Sequence, residues 1–463
     1  MLSKSCRVFF AAFSLSKKRK GNKIMKTKQL NNAENTDNFG NTYRIDGTGA
    51  QTAVYGNSPA NKSRFAILKE EIDDYMEIRE SIKTGIEDYD RIKQQKKKIK
   101  KYLGATEAEW NDYSWQLKNR FTNPEELASV ISMNKLEINA VKTVAAKYRF
   151  AVSPYYLSLN NPDDPDCPVR RQSIPSSAEM DESGELDPMD EKGSAIEEII
   201  TRRYPDRLII KVTNICGMFC RFCQRRRLIG EFDTNCTEEK LRKAIAYVRR
   251  NPEIRDVLIT GGDAFMLPDS QIDWLLSELR RISHVEIIRF GTRTPATLPQ
   301  RVTKNLASIL KKYHPIYVNT HFNSPMEVTP EAKAACATLA DAGIPLGNQM
   351  VLLNGVNNDP YIVRKLNQAL LTIRVRPYYI FHPKTIKGTK HFWASIEEGM
   401  EIMESLRGRT SGLAIPAYII NGPKGLGKTP ILPNYLLYAG RDKAVFRNWQ
   451  GIKFEVPNEI STK

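Results

Sequence analysis

Cys216, Cys220 and Cys223 stand in the run Asn214-Ile-Cys-Gly-Met-Phe-Cys-Arg-Phe-Cys-Gln-Arg-Arg-Arg227, a C-x3-C-x2-C spacing directly after an apolar stretch at 208–212. Clustered thiolates are the usual ligands of iron–sulfur clusters, and a [4Fe–4S] cluster normally takes four of them. Three in one loop leave one iron open to a substrate or cofactor. Two blander readings stand beside this one. Cys236 is close enough downstream to complete a four-cysteine zinc site, and cysteines also serve simply as small buried apolar residues.

A second chemical motif is Gly422-Pro-Lys-Gly-Leu-Gly-Lys428-Thr-Pro. Glycines that free the backbone beside a lysine could cradle a phosphate. Gly422 and Gly427 have the spacing of a nucleotide-binding loop, with Thr429 after Lys428. However, Pro430 and Pro433 break the helix such a loop must lead into. A flexible glycine hinge carrying a reactive lysine fits better, and such a lysine can form a Schiff base with pyridoxal phosphate (PLP).

The elements that must position these groups follow from periodicity. Beyond Arg203, strand-like segments at 208–212, 257–260, 286–290, 316–320, 346–352, 377–381 and 415–420 alternate with amphipathic helices at 239–249, 272–281, 302–312, 330–341, 362–371 and 396–406. This repetition predicts a parallel sheet with right-handed crossovers. Six or more units favour a barrel or partial barrel. The C-terminal strand edges carry the cysteine loop, Gly261-Gly262-Asp263, Arg289 with Arg293, His321, Gln349, Lys384 and Asn421, which in a βα barrel converge on one mouth. Upstream, 67–101 reads as one long helix, with more helix at 107–116 and 124–135, and 162–191 reads as loop with an acidic stretch from Glu179 to Glu191. The expected class is α/β, a partial (β/α) barrel with an N-terminal helical extension. Expected domains are a disordered segment at 1–62, a helical region and loop at 63–200, the barrel core at 201–421, and the lysine loop with a C-terminal segment at 422–463.

Charge narrows the function class. The total is +17, but residues 1–31 hold nine Lys or Arg and no acid. The remainder carries about +8, which argues against a nucleic-acid partner. The basic run 96–101 reads as a solvated helix face. No apolar stretch reaches membrane-spanning length. Seven cysteines, three of them within eight residues, are not a disulfide framework and fit a reducing compartment. Residues 8–15 vaguely resemble a signal peptide, but an oxygen-labile cluster argues for the cytoplasm, and Met25 is an alternative start.

From about residue 110 to about 455 the chain resembles the lysine 2,3-aminomutase family of PLP-dependent radical S-adenosylmethionine (SAM) enzymes. The resemblance is carried by Trp115-Gln-Leu-Lys-Asn-Arg120, Pro168-Val-Arg-Arg-Gln-Ser-Ile-Pro175, Arg203-Tyr-Pro-Asp-Arg207, the cysteine motif, Gly261-Gly-Asp263, Gly291-Thr-Arg-Thr-Pro295, Val318-Asn-Thr-His-Phe-Asn323, Gly347-Asn-Gln349, Arg376-Pro-Tyr-Tyr379, Ser411-Gly412 and the lysine loop. It implies that Cys216, Cys220 and Cys223 hold a [4Fe–4S] cluster whose open iron chelates SAM. Lys428 would carry PLP. Arg203, Tyr204 and Arg207 would lie at PLP, and Gly261, Gly262, Asp263, His321 and Gln349 near SAM and PLP. Arg225 would bind the substrate α-carboxylate, since a guanidinium suits a bidentate pair. The family also implies a 5′-deoxyadenosyl radical, PLP-assisted 1,2-amino migration, an electron donor such as flavodoxin or ferredoxin, and a homo-oligomer.

Departures from the family pattern bear on the substrate. Lysine-specific members hold the distal ammonium with two aspartates, and here those positions are Lys384 and Asn421. A cation and an amide repel or ignore a second ammonium and suit a carboxylate. The expected reaction therefore interconverts L-glutamate and 3-aminoglutarate, with a lysine or arginine aminomutase as the in-family rival and a non-catalytic zinc or nucleic-acid-binding protein as the rival of another class. Asp359 stands where some relatives have a zinc ligand and no cysteine follows Cys336, so no zinc is expected. Phe222 replaces a common histidine, and Lys424 replaces a glycine of the PLP loop.

Overall fold

A computed structural model describes residues 63–458. The chain divides into two units, Met1–Ile82 and Lys83–Lys463. The expectations for 1–62 and for the start site at Met25 lie outside the described residues. In the first unit, a helix spans Arg64–Ile78, started by the Ser63 side chain accepting the Ala66 N–H.

The second unit holds the barrel. The helix expected over 67–101 is in fact two, because Tyr89–Leu103 is separate. Thr84 and Glu87 exchange backbone-to-side-chain bonds of 2.8 and 3.1 Å and end the helical run. The backbone of Gly85 runs against Met326, where a Cβ would lie 2.4 Å from the carbonyl oxygen. The helix expected at 124–135 stops at Val130, and Asn134 caps a new one at Lys135–Lys147.

Nine strands follow one another in sheet order: β1 Ile200–Tyr204, β2 Arg207–Lys211, β3 Asp256–Thr260, β4 Ile287–Gly291, β5 Ile316–Thr320, β6 Leu346–Val351, β7 Arg376–Phe381, β8 Ala417–Gly422 and β9 Gly427–Ile431. β2 to β8 are parallel, and the edges β1 and β9 are antiparallel to their neighbours. The result is the expected partial (β/α) barrel. Side chains alternate across each strand. Leu208, Ile210, Val257, Ile259, Ile288, Phe290 and Val318 face out, into a core with helix residues such as Leu241, Ile245, Leu276 and Leu310. The intervening Ile209, Lys211, Leu258, Arg289 and Asn319 line an internal cavity. A second core, with Trp110, Phe121, Tyr155, Tyr156 and Met218, joins the helical region to the cysteine loop.

The lysine segment is not a flexible hinge. Gly427–Ile431 is strand β9, paired to β8 with Gly422 opposite Gly427 and Asn421 opposite Lys428. The C-terminal segment forms its own antiparallel sheet, β10 Leu436–Ala439, β11 Lys443–Arg447 and β12 Lys453–Pro457. Among the described residues no helix is long and apolar enough to cross a membrane.

Candidate active site

The cysteine loop leaves β2 and is held from several directions. Arg120 donates to the Cys216 carbonyl at 2.7 Å and pairs with Asp233. Phe219 N–H reaches Ala151, and Arg221 N–H reaches Gln172, at 2.9 and 3.0 Å. Gly261 and Gly262 are required by this loop. A Cβ on Gly261, at φ +148°, would sit 2.4 Å from the Thr213 carbonyl oxygen, and one on Gly262 2.5 Å from that of Ile215. The motifs at 115–120, 168–175 and 261–263 thus fix where Cys216, Cys220 and Cys223 stand, and all three line the cavity. Burial raises the Cys216 and Cys223 thiols. Among the described residues, no three His, Cys, Asp or Glu side chains are gathered about one point. Cys236 is absent from the cavity wall. Its N–H bonds the Val212 carbonyl and its side chain packs against the barrel core.

Arg293 ties this wall together. Its Nη1 lies 2.8 Å from Cys220 Sγ, and its Nη2 donates to Gln172 and Glu327 at 2.6 and 2.5 Å. Asp263 spends its carboxylate on the Thr292 hydroxyl and the Arg293 and Phe265 N–H groups. It therefore joins the β3 and β4 tips and faces the cavity from a committed position. Burial and Arg293 push His321 down to about 3, so its ring is neutral. Asn323 Oδ1 already accepts the Val351 N–H, so His321 Nε2 donates to that oxygen and its Nδ1 keeps a lone pair. Phe222 packs on the His321 ring at 5.6 Å and on Phe392 at 6.0 Å. Gln349, on β6, lines the cavity.

On the opposite side, Lys428 Nζ lies 4.9 and 5.3 Å from the ring centres of Tyr379 and Phe381. Lys428 is exposed to the cavity, and the loss of hydration within its walls, then Arg289 and Arg207, push the ammonium down to about 8. The Tyr204 hydroxyl accepts the Lys428 N–H at 2.8 Å, and the Arg207 guanidinium lies 4.0 Å from the Tyr204 ring centre. Arg203 donates to the Met189 carbonyl at 2.8 Å, while its buried Nε has no partner. Lys424 takes φ +51°, left-handed backbone that explains why a glycine would suit this position.

The third group is Arg225, Lys384 and Asn421. Lys384 donates to Gln224 Oε1, and burial with Arg225 pushes its ammonium down to about 7, against the pull of Glu191. Asn421 Nδ2 is buried with no hydrogen-bond partner. Arg225 pairs with Glu191 at 2.8 Å. Glu191 lies in the expected loop, in a turn before β1. Its acidic stretch is the counter-charge to the arginines after Cys220: Glu179 pairs with Arg221 and Arg226, Asp187 with Arg227, and Glu191 with Arg225 and Arg227. The signal was present as an acidic stretch at 179–191 and an arginine run at 221–227. Every site residue expected from the sequence lines this one cavity, whose wall carries eight Lys or Arg against Glu191 and Asp263 and so favours anions. Asp359 caps the helix Pro360–Thr372 by accepting the Tyr361 and Ile362 N–H groups.

Comparison with known proteins adds two family matches: the family described as Lysine-2,3-aminomutase over residues 403–460 and the Radical SAM superfamily over 210–363. The chain is 53% identical over 397 residues to a glutamate 2,3-aminomutase of Clostridioides difficile (strain 630), covering 86% of this chain and 94% of that protein. It is 45% identical over 353 residues to an L-lysine 2,3-aminomutase of Clostridium subterminale, covering 76% and 85%. It is 44% identical over 363 residues to an L-lysine 2,3-aminomutase of Bacillus subtilis (strain 168), covering 78% and 77%.

Proposed function

Since the chain belongs to the lysine 2,3-aminomutase family of radical SAM enzymes, we propose that it is a member that interconverts L-glutamate and 3-aminoglutarate. As a member it is an isomerase using a [4Fe–4S] cluster, SAM and PLP. When bound, the cluster and SAM supply the radical that removes and returns hydrogen at the substrate, and PLP supplies the aldehyde through which nitrogen passes between C2 and C3.

The chain's own groups fit these ligands. Cys216, Cys220 and Cys223 would hold the cluster, with Arg293 placing a positive charge on the Cys220 sulfur. Gly261, Gly262, Asp263, His321 and Gln349 would shape the SAM and PLP sides. The unpartnered Arg203 Nε, the Arg207 cation and Tyr204 would receive PLP beside Lys428. Arg225 would take the α-carboxylate. The single observation that carries the substrate reading is the pair Lys384 and Asn421. Lys384 and Asn421 both line the cavity, the latter with a buried amide N–H donor that has no hydrogen-bond partner, where two aspartates would be needed to hold a second ammonium. Among relatives, a protein named for glutamate shares 53% identity.

The test is turnover by protein with reconstituted cluster, SAM, PLP and dithionite, offered glutamate, lysine and arginine. Glutamate is expected to be preferred by more than about a hundredfold, the scale of a wrongly placed buried charge. A preference for lysine or arginine overturns the substrate reading. We further place the reaction in the cytoplasm of a cell supplying flavodoxin or ferredoxin electrons, with a homo-oligomer as the working form. The free state of all described cysteines supports the reducing compartment.

Lys428 gives a pH signature. Only the neutral amine attacks an aldehyde, and its pKa of about 8 lies below the ordinary lysine value. The neutral fraction therefore rises about tenfold per pH unit up to about 8 and then levels off. PLP capture by the apoprotein is expected to follow that curve, with borohydride fixing PLP to Lys428 and Lys424→Ala leaving the yield unchanged. A rate still climbing at pH 10, or PLP mapped to Lys424, overturns the assignment.

A further inference from the structure

A guanidinium has two bidentate edges, Nε with one Nη, and the two Nη together. In Arg225 the first edge is taken. Nε lies 3.1 Å from both Glu191 oxygens, and Nη2 lies 2.8 Å from Oε1. Nη1 has no hydrogen-bond partner among the described residues. Glu191 is 5% exposed at its side chain, and Arg227 holds its second oxygen at 3.3 Å. The carboxylate is itself fixed, so the guanidinium plane it grips is fixed too. Both residues line the cavity. Glu191 belongs to the acidic stretch that no part of the proposed chemistry uses.

We propose that Glu191 is the positioning residue of the substrate site: it clamps Arg225 by the Nε edge and so presents the Nη1–Nη2 edge, end-on, to an amino-acid carboxylate. This rests on the reading that Arg225 receives the α-carboxylate. Two carboxylates then share one guanidinium, the protein's side-on and the substrate's end-on. The opposite possibility is that Glu191 occupies the substrate's place and must be displaced. The two possibilities predict opposite signs.

The experiment is a double-mutant cycle on reconstituted enzyme with Glu191→Gln and Arg225→Gln, reading kcat and KM for glutamate. Calorimetric glutamate affinity is measured with SAM omitted. Glu191→Gln is expected to raise KM and Kd about tenfold to a hundredfold, the scale of a lost charge-assisted hydrogen bond. kcat at saturation should change by less than about threefold, the pattern of lost ground-state binding. Arg225→Gln should raise KM at least as much, and the double variant by clearly less than the product of the two single effects, because the clamp acts through Arg225. A fall in KM for Glu191→Gln makes Glu191 a competitor and overturns the proposal. So does an effect that adds in full to that of Arg225→Gln. An unchanged KM in Arg225→Gln overturns the underlying carboxylate reading instead. Iron content and melting temperature are followed in every variant. If Glu191→Gln fails to load iron, Glu191→Asp replaces it, with a smaller KM rise expected and the same non-additivity required.

Discussion

Alanine at Cys216, Cys220 or Cys223 is expected to abolish iron loading and SAM cleavage, while Cys236→Ala and Cys336→Ala keep both. Each cavity cysteine would own one iron, and a cluster with two protein ligands has no fixed place in the loop. Cys236 stands off the cavity wall. Cys336 is fully buried in the helix Pro330–Asp341, where burial pushes its thiol up to about 12. The measurements are iron per chain and methionine released under dithionite. A requirement for Cys236 in metal binding would favour a four-cysteine site, zinc included, and remove the open iron from the proposal.

Lys384→Ala is expected to lower glutamate turnover efficiency by several hundredfold. A buried charge deprived of its partner costs about 3–5 kcal/mol, and the substrate's distal carboxylate would be that charge. Lys384→Asp with Asn421→Asp should go further, because two carboxylates repel the distal carboxylate directly. The ratio of glutamate to lysine efficiency is the decisive quantity. It should fall by more than about a hundredfold in the double variant. A ratio that does not move overturns the charge reading of this pocket.

The barrel was legible because its strands and helices have different periods and alternate without interruption. The strands β2 to β8 begin and end within a few residues of where the apolar runs place them. Cofactor and substrate positions were legible through motif resemblance, and their convergence on one mouth through strand-edge register. What escaped had non-local causes. The break near Gly85 comes from backbone contact with residues 326–329, more than 240 positions away. Glu191 looked like one acid among many until folding brought it to Arg225, 34 residues on. Arg293 was read as a strand-edge residue, but its bond to Cys220 spans 73 residues. Strand β9 is short and rich in glycine and proline, and it exists because β8 offers it an edge.

That pairing has an evolutionary consequence. Asn421 and Lys428 sit opposite one another on β8 and β9. The residue proposed to read the distal end of the substrate and the lysine proposed to hold the cofactor are thus rungs of one ladder. Sliding either strand by a single residue would turn that strand's side chain to the far face and part the two. A descendant of this protein seeking a new amino acid cannot remodel the backbone here by insertion or deletion without losing its cofactor anchor. It can only exchange side chains in place. Substrate range on this scaffold is therefore expected to change by point substitution at 421 and 384, with the length of the turn between β8 and β9 held constant.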